Sequence, residues 1–197
     1  RTVIDAAVAA GVGHIVYTSF LGADPFATFM LARDHDATET MLRESGIPFT
    51  FLRDSFYADV LPDFAGEERV IRGPGGTGRC AYVARRDVAE VAAAVMVNPS
   101  AWENRTLDLT GPTAVTFEEA AAVLTDVYGD EYGYVDETFE EALESRASYG
   151  APEWLVDACI STYTAVANGE LDVVSGDMRE VLGREPRDLA EALRTRL

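Results

Sequence analysis

The chain has 197 residues, 48% hydrophobic and 25% charged, enough for one or two domains with a sizeable core. Its formal net charge is −18, from 34 acidic against 16 basic residues, and every basic residue is Arg. A field of that sign repels phosphate backbones and anionic membranes, which sets nucleic acid and membranes aside as partners, and the lack of Lys removes every catalytic role that needs an amine. A solvated acidic surface accounts for the charge. No apolar run reaches the length of a membrane helix, and no basic-then-apolar leader opens the chain, so a cytoplasmic location is expected. Cys80 and Cys159 lack close spacing or a His cluster, which argues against a metal site and predicts two reduced, buried thiols.

Residues 1–10 place Val3, Ile4, Ala7 and Val8 on one helical face, and Gly11 and Gly13 end that helix. HIVYTSF, residues 14–20, reads as a buried strand. A loop, LGADPFATF, leads into a helix over roughly residues 28–45, stopped by Gly46, and Pro48 opens a second apolar strand, FTFLR. Strand, helix, strand with short joints calls for a right-handed crossover and a parallel sheet. The stretch RGPGGTGR, residues 72–79, lacks the spacing of a dinucleotide loop that opens a helix, and reads as a turn between short strands, with 80–83 as the second. DVAEVAAAVMV is predicted helical and RTLDLTG a strand, after which Gly111 and Pro112 break the chain. Thr116 and Glu119 form a capping box for the helix FEEAAAVLTDVYG. Beyond residue 113 the reading is mostly helical, with YGYVD the one strand. The expected architecture is α/β: residues 1–112 as the carboxyl-terminal part of a Rossmann-type parallel sheet, and residues 113–197 as a smaller, mainly helical substrate region.

Ligands of open α/β sheets bind along the carboxyl edge of the strands. Two clusters fall there: Thr18, Ser19 and Phe20 after the first strand, and Arg53, Asp54, Ser55, Phe56 and Tyr57 after the second. Ser and Thr at such places also serve as plain turn formers. His35 shares related helical turns with Thr38, Glu39 and Leu42, and a lone helical His is as often structural as catalytic.

HIVYTSF, the segment LARDHDATETMLRESGIPFTFLR and the following SFY resemble the atypical short-chain dehydrogenases of the NmrA-like group, particularly its bacterial quinone- and triphenylmethane-reducing members. ARRDVAEVAAAV, LDLTGP and VLGREPRDLAEAL extend the likeness over nearly the whole chain. It implies NADP(H) or NAD(H) as cofactor, no metal, and a quinone or small aromatic substrate. It implies that Thr18, Ser19, Phe20, Arg53, Asp54 and Ser55 face the cofactor, that Phe56 and Tyr57 stack on substrate, and that His35 and Tyr57 form the catalytic pair. It also implies that the glycine-rich loop of the family precedes this stretch, so that the chain corresponds to the carboxyl two-thirds of such a protein. HIVYTSF would then be left with an open edge, for which pairing into a homodimer is one outcome.

The sequence departs from the group's pattern in three ways. A Tyr-x-x-x-Lys pair is impossible without Lys. Glu39 stands where isoflavone-reductase-like relatives have a Lys. Asp54-Ser55-Phe56-Tyr57 replaces an Asn-Gly-aromatic-Tyr run, putting a carboxylate near the nicotinamide. The expected function is NAD(P)H-dependent hydride transfer to a quinone-like or aromatic acceptor. A non-enzymatic NAD(P)-sensing regulator of the NmrA type is the alternative.

Overall fold

The computed structural model describes residues 1–196. The first helix, α1 (Thr2–Ala9), buries only Ile4 and leaves Val3 and Val8 exposed. Strand β1 (Ile15–Phe20) follows, then α2 (Met30–Ser45), which ends at Gly46 in the left-handed conformation, φ 74°. Strand β2 (Phe49–Asp54) returns parallel to β1, with Ile15 opposite Phe49 and Phe20 opposite Asp54. A short helix α3 (Leu61–Ala65), strand β3 (Val70–Gly73) and helix α4 (Arg85–Val97) lead to β4 (Arg105–Leu109), which lies parallel on the other side of β2. The sheet order is therefore β1-β2-β4, and among the described residues the outer edge of β1 is unpaired.

Side chains alternate between the two faces of this sheet. Ile15, Tyr17 and Phe51 pack with Ile4 and Leu42 beneath α1 and α2. Val16, Leu52, Leu107 and Leu109 pack with Val88, Val91 and Val95 beneath α4. β2, covered on both faces and paired on both edges, is the most enclosed element, and Phe51 and Leu52 are fully buried.

The second half comprises α5 (Phe117–Tyr128), β5 (Gly133–Asp136), α6 (Phe139–Arg146), α7 (Glu153–Ala167), α8 (Asp177–Leu182) and α9 (Leu189–Arg194). The capping box predicted at Thr116 and Glu119 is present, and the same motif recurs at Thr138 with Glu141 and at Asp188 with Glu191. β3 pairs with β5 in a separate parallel two-stranded sheet, and Met178 of α8 packs back into the core beneath α4. Chain order and packing thus interleave across residue 112.

Two expectations, the strand at 80–83 and the burial of Cys159, are corrected. Residues 80–83 form no strand; they make isolated bridges, Val83 with Tyr57 and Cys80 with Val115. The glycine-rich stretch is the expected turn, and it also serves packing. A Cβ on Gly78 would sit 2.1 Å from the carbonyl oxygen of Val166, and one on Gly75 would sit 2.5 Å from the Phe117 ring, so glycine there lets α7 and α5 close in. The thiols also differ from each other: Cys80 is buried, whereas Cys159, on α7, is exposed.

A candidate active site at the carboxyl edge of the sheet

The predicted residues gather at the carboxyl ends of β1 and β2, on two faces. On the α2 face stands a buried ionic network. Glu39 is fully buried and accepts from Ser19 Oγ at 2.6 Å, from Arg53 Nε at 2.8 Å and Nη2 at 2.6 Å, and from Arg43 Nη2 at 2.9 Å. Burial pushes the Glu39 carboxyl up, but the bonds from Arg53, Ser19 and Arg43 outweigh it and hold it below the usual carboxylate range. Arg53 also reaches the carbonyl of Ala23 at 3.3 Å. Ser19 and Arg53 thus spend their polar groups fastening α2 and the following loop to the sheet.

On the same face, His35 Nδ1 lies 2.9 Å from the Tyr17 hydroxyl. Its half-buried ring is held below its ordinary pKa by desolvation, partly offset by Glu39 and Asp34, which favours the neutral imidazole. The ring also stacks on Phe20, at 6.3 Å and 27°. Phe20 joins an aromatic cluster, 4.6 Å from Phe29 and 5.0 Å from Phe56 between ring centroids, with Phe29 and Phe56 edge-to-face at 5.1 Å. His35 and the turn after β2 therefore meet through Phe20.

Asp54 belongs to the other face. It is 4% exposed, and its Oδ2 finds no hydrogen-bond partner. Burial raises its carboxyl from 3.8 to about 7, against the pull of the neighbouring Tyr57 hydroxyl. Tyr57 is half-buried, and desolvation, reinforced by Asp54, raises its phenol while Arg85, 5.0 Å from the ring centre, opposes that. The backbone here is fixed: Val83 N donates to Phe56 O at 3.0 Å, Ala58 N to Val83 O at 2.9 Å, and Arg85 N to Asp59 Oδ2 at 2.9 Å. Ser55 Oγ faces the buried Cys80 thiol at 3.5 Å, and burial pushes that thiol up to about 12. Thr18 is exposed at the rim.

Sequence reasoning missed Tyr17, Phe29 and the anchoring role of Glu39. Tyr17 was legible by alternation, since it shares a face with Ser19; Phe29 lies in a loop with no periodicity to mark it. A separate cleft of about 520 Å³, bordered by Phe64, Arg72, Arg146, Cys159 and Tyr163, contains none of the predicted residues. Among the described residues no cluster of His, Cys, Asp and Glu is placed to share a metal ion, and no helix is long and apolar enough to cross a membrane.

Residues 1–99 match the NAD(P)H-binding family model. Quinone oxidoreductase 2 of Escherichia coli (strain K12) is 34% identical over 196 residues, 98% of this chain and 68% of the relative. The chain belongs to the NAD(P)H-binding, NmrA-like oxidoreductases. Among solved structures, the NADPH complex of the E. coli NADPH-dependent quinone oxidoreductase superposes with a TM-score of 0.86 at 34% identity, over 98% of this chain and 69% of that one. The triphenylmethane reductase of Citrobacter sp. gives 0.82 at 32% identity, over 99% and 68%. The negative transcriptional regulator NmrA, at 16% identity and a TM-score of 0.68, shares the fold alone. The cofactor class of the family is NAD(P)H, and the chain spans about two thirds of the length of these relatives.

Proposed function

We propose that this chain forms the acceptor side of an NAD(P)H-dependent reductase acting on quinone-like or other flat aromatic acceptors. The observation that carries this reading is the Phe20–Phe29–Phe56 cluster at the carboxyl edge, with the His35 ring against Phe20 on one side and the buried Asp54 carboxyl on the other. Open α/β sheets bind ligands at that edge. The residues suit the nicotinamide end of the cofactor: an aromatic wall at Phe20, the exposed Thr18 hydroxyl, and the unpartnered Oδ2 of Asp54. When bound, the cofactor supplies the hydride. Phe56, half-buried and edge-on to Phe29, offers a ring face for the acceptor, and Tyr57 beside it carries a hydroxyl. His35 orients Phe20 and Tyr17. Ser19 and Arg53 hold α2 in place through Glu39. Ser55 sits behind the turn, against Cys80.

Quinones and cationic dyes accept hydride without a strong acid at hand, which suits a chain without Lys. The test is oxidation of NADPH and NADH, followed at the reduced-nicotinamide absorbance, with a small benzoquinone, a triarylmethane dye or no acceptor. Turnover only with acceptor present supports the reading. Cofactor binding with no turnover on any flat acceptor would overturn it in favour of a sensing role.

A further inference from the structure

The cleft of about 520 Å³ is walled by α3, β3, α6 and α7, and its size suits a small molecule. Tyr163 of α7 borders it and is 4% exposed. Its ring is clamped: a Cβ on Gly73 would meet it at 2.5 Å, the Phe117 ring lies 5.1 Å away between centroids, and the Arg146 guanidinium stands 5.4 Å from its centre. No hydrogen bond reaches its hydroxyl among the described residues. Arg146 bonds elsewhere, through Nη1 to Glu137, Ser145 and the Ala142 carbonyl and through Nη2 to the Arg72 carbonyl. A buried phenol whose hydroxyl is left open on a cleft wall is a group available to a ligand. Cys159 precedes Tyr163 by four residues on α7, so the two share a helix face, and Cys159 is exposed and borders the same cleft. Phe64 of α3, 36% exposed, adds an aromatic wall 6.2 Å from the Tyr163 ring. The cations here are already taken, Arg146 by Glu137 and Arg72 by Glu68, whereas Glu67 has no ion pair among the described residues. An anionic ligand is therefore disfavoured, and a neutral, flat one fits.

We propose that this cleft is a second site for quinone-type electrophiles, at which the Cys159 thiol adds to the bound ring. The choice of electrophile rests on the acceptor class proposed above; the cleft and its thiol do not. The Cys159 S–H bond breaks and its proton goes to water, since the thiolate is the nucleophile. A sulfur lone pair forms an S–C bond to a ring carbon of the quinone. The C=C pair shifts onto the conjugated carbonyl oxygen, which takes up a proton. The hydrogen on the attacked carbon then leaves as a proton, the other carbonyl oxygen gains one, and the ring becomes aromatic. The product is a hydroquinone thioether, and no other oxidant or reductant is consumed. Phe64 offers the face on which the quinone stacks, and the Tyr163 hydroxyl donates to the carbonyl oxygen as charge gathers there. Cys80, the other cysteine of the chain, is fully buried and its thiol is pushed up to about 12, so it takes no part.

The experiment treats the full chain with benzoquinone and, separately, with iodoacetamide, a thiol reagent that needs no aromatic wall. NADPH is left out, and adducts are followed by intact mass and peptide mapping. Wild type is expected to gain one quinone, on Cys159, at a rate that saturates with quinone concentration; Cys159→Ser gains none. Phe64→Ala should slow quinone labelling by roughly 2- to 10-fold at low concentration, from the loss of one stacking partner. Tyr163→Phe keeps the ring and should lower the saturating rate by about tenfold, from the loss of one hydrogen bond to a developing charge. Iodoacetamide should label Cys159 at the same rate in wild type and both cleft variants, which also shows that the fold around the thiol is kept. Quinone labelling that rises linearly with concentration, or that responds to neither cleft substitution, marks Cys159 as an ordinary exposed thiol and overturns the proposal. An adduct on Cys80 in place of Cys159, or none at all, overturns it too. A chain that labels as expected but oxidises no NADPH with any acceptor keeps this site and loses only the reductase reading.

Discussion

Arg53 grips Glu39 through both of its carboxylate oxygens, Nε to Oε1 at 2.8 Å and Nη2 to Oε2 at 2.6 Å, and so ties the middle of α2 to the end of β2. Glu39 is fully buried and the Arg53 side chain only 21% exposed, which makes the pair expensive to break from one side only. Glu39→Ala strands the Arg53 charge and the Ser19 hydroxyl. A loss of roughly 3–5 kcal/mol is expected, read as a lower midpoint in urea with little change in slope. The double replacement Glu39→Leu with Arg53→Met should recover much of it, because two apolar groups of similar bulk leave no charge unpaired.

That pair also shows where the sequence stops being informative. Glu39 sits among Asp34, Asp36 and Glu44 on a helix that reads as acidic and solvated, and its partner arrives 14 residues later from another element. Nothing local marked Glu39 as buried. By contrast the strand–helix–strand order, the Gly46 stop and the capping box at Thr116 rest on local chemistry and were readable. Asp54 was placed at the correct edge, but its burial depends on β2 lying between β1 and β4, a long-range fact. Residues 80–83 misled because an apolar run of that length packs equally well as bridged loop or strand.

Asp54 gives a pH-dependent stability prediction independent of catalysis. Its folded carboxyl lies above the ordinary value, so the contribution to stability is full below about pH 4 and is lost as pH rises toward about 7. Moving a carboxyl from 3.8 to about 7 amounts to roughly 4 kcal/mol of preference for the protonated form. Asp54→Asn, isosteric and uncharged, should therefore be more stable than wild type at pH 8 and equal to it near pH 4. Denaturant midpoints across that range check it; parallel curves for the two proteins would refute it.

His35 carries the opposite sign. Its folded pKa is depressed by burial, so the stability it confers is present above about 6.5 and is lost as pH falls through the folded value. Replacing His35 with Gln should flatten the acid side of the stability curve below about pH 6.5. The thermal midpoint of both proteins over that interval is the measurement.

The tail is fixed by a cluster that the VLGREPRD run encodes. Asp87, fully buried at the start of α4, accepts from Arg184 Nη2 at 2.6 Å and from the Arg187 backbone N–H at 2.7 Å, and it pairs with the Arg187 guanidinium; Glu90 takes the second contact from both arginines. Asp87→Ala should destabilise by about 3 kcal/mol or more and free the segment after α8. Limited proteolysis is expected to cut near Arg184 or Arg187 in that variant and not in wild type.

Under the proposed function, Phe56 distinguishes acceptor binding from cofactor binding. Its ring is half-buried, 5.0 Å from Phe20 and 5.1 Å from Phe29, so truncation removes a stacking surface and opens the cluster without touching the Glu39 network. Offset or edge-on aromatic pairs are worth about 0.5–1.5 kcal/mol each beyond area burial. Phe56→Ala is therefore expected to weaken acceptor binding by roughly tenfold or more, from the loss of about 1.4 kcal/mol or more of stacking. NADPH affinity should move much less, because the rings nearest the strand ends, Phe20 and Phe29, keep their mutual contact at 4.6 Å. Isothermal titration with NADPH, set beside the KM for benzoquinone, gives both numbers on one preparation. Phe56→Leu distinguishes stacking from bulk: it refills the space, so a variant that recovers stability but not the quinone KM assigns the loss to the aromatic face. Equal losses for cofactor and acceptor in both variants would place Phe56 on the nicotinamide side instead.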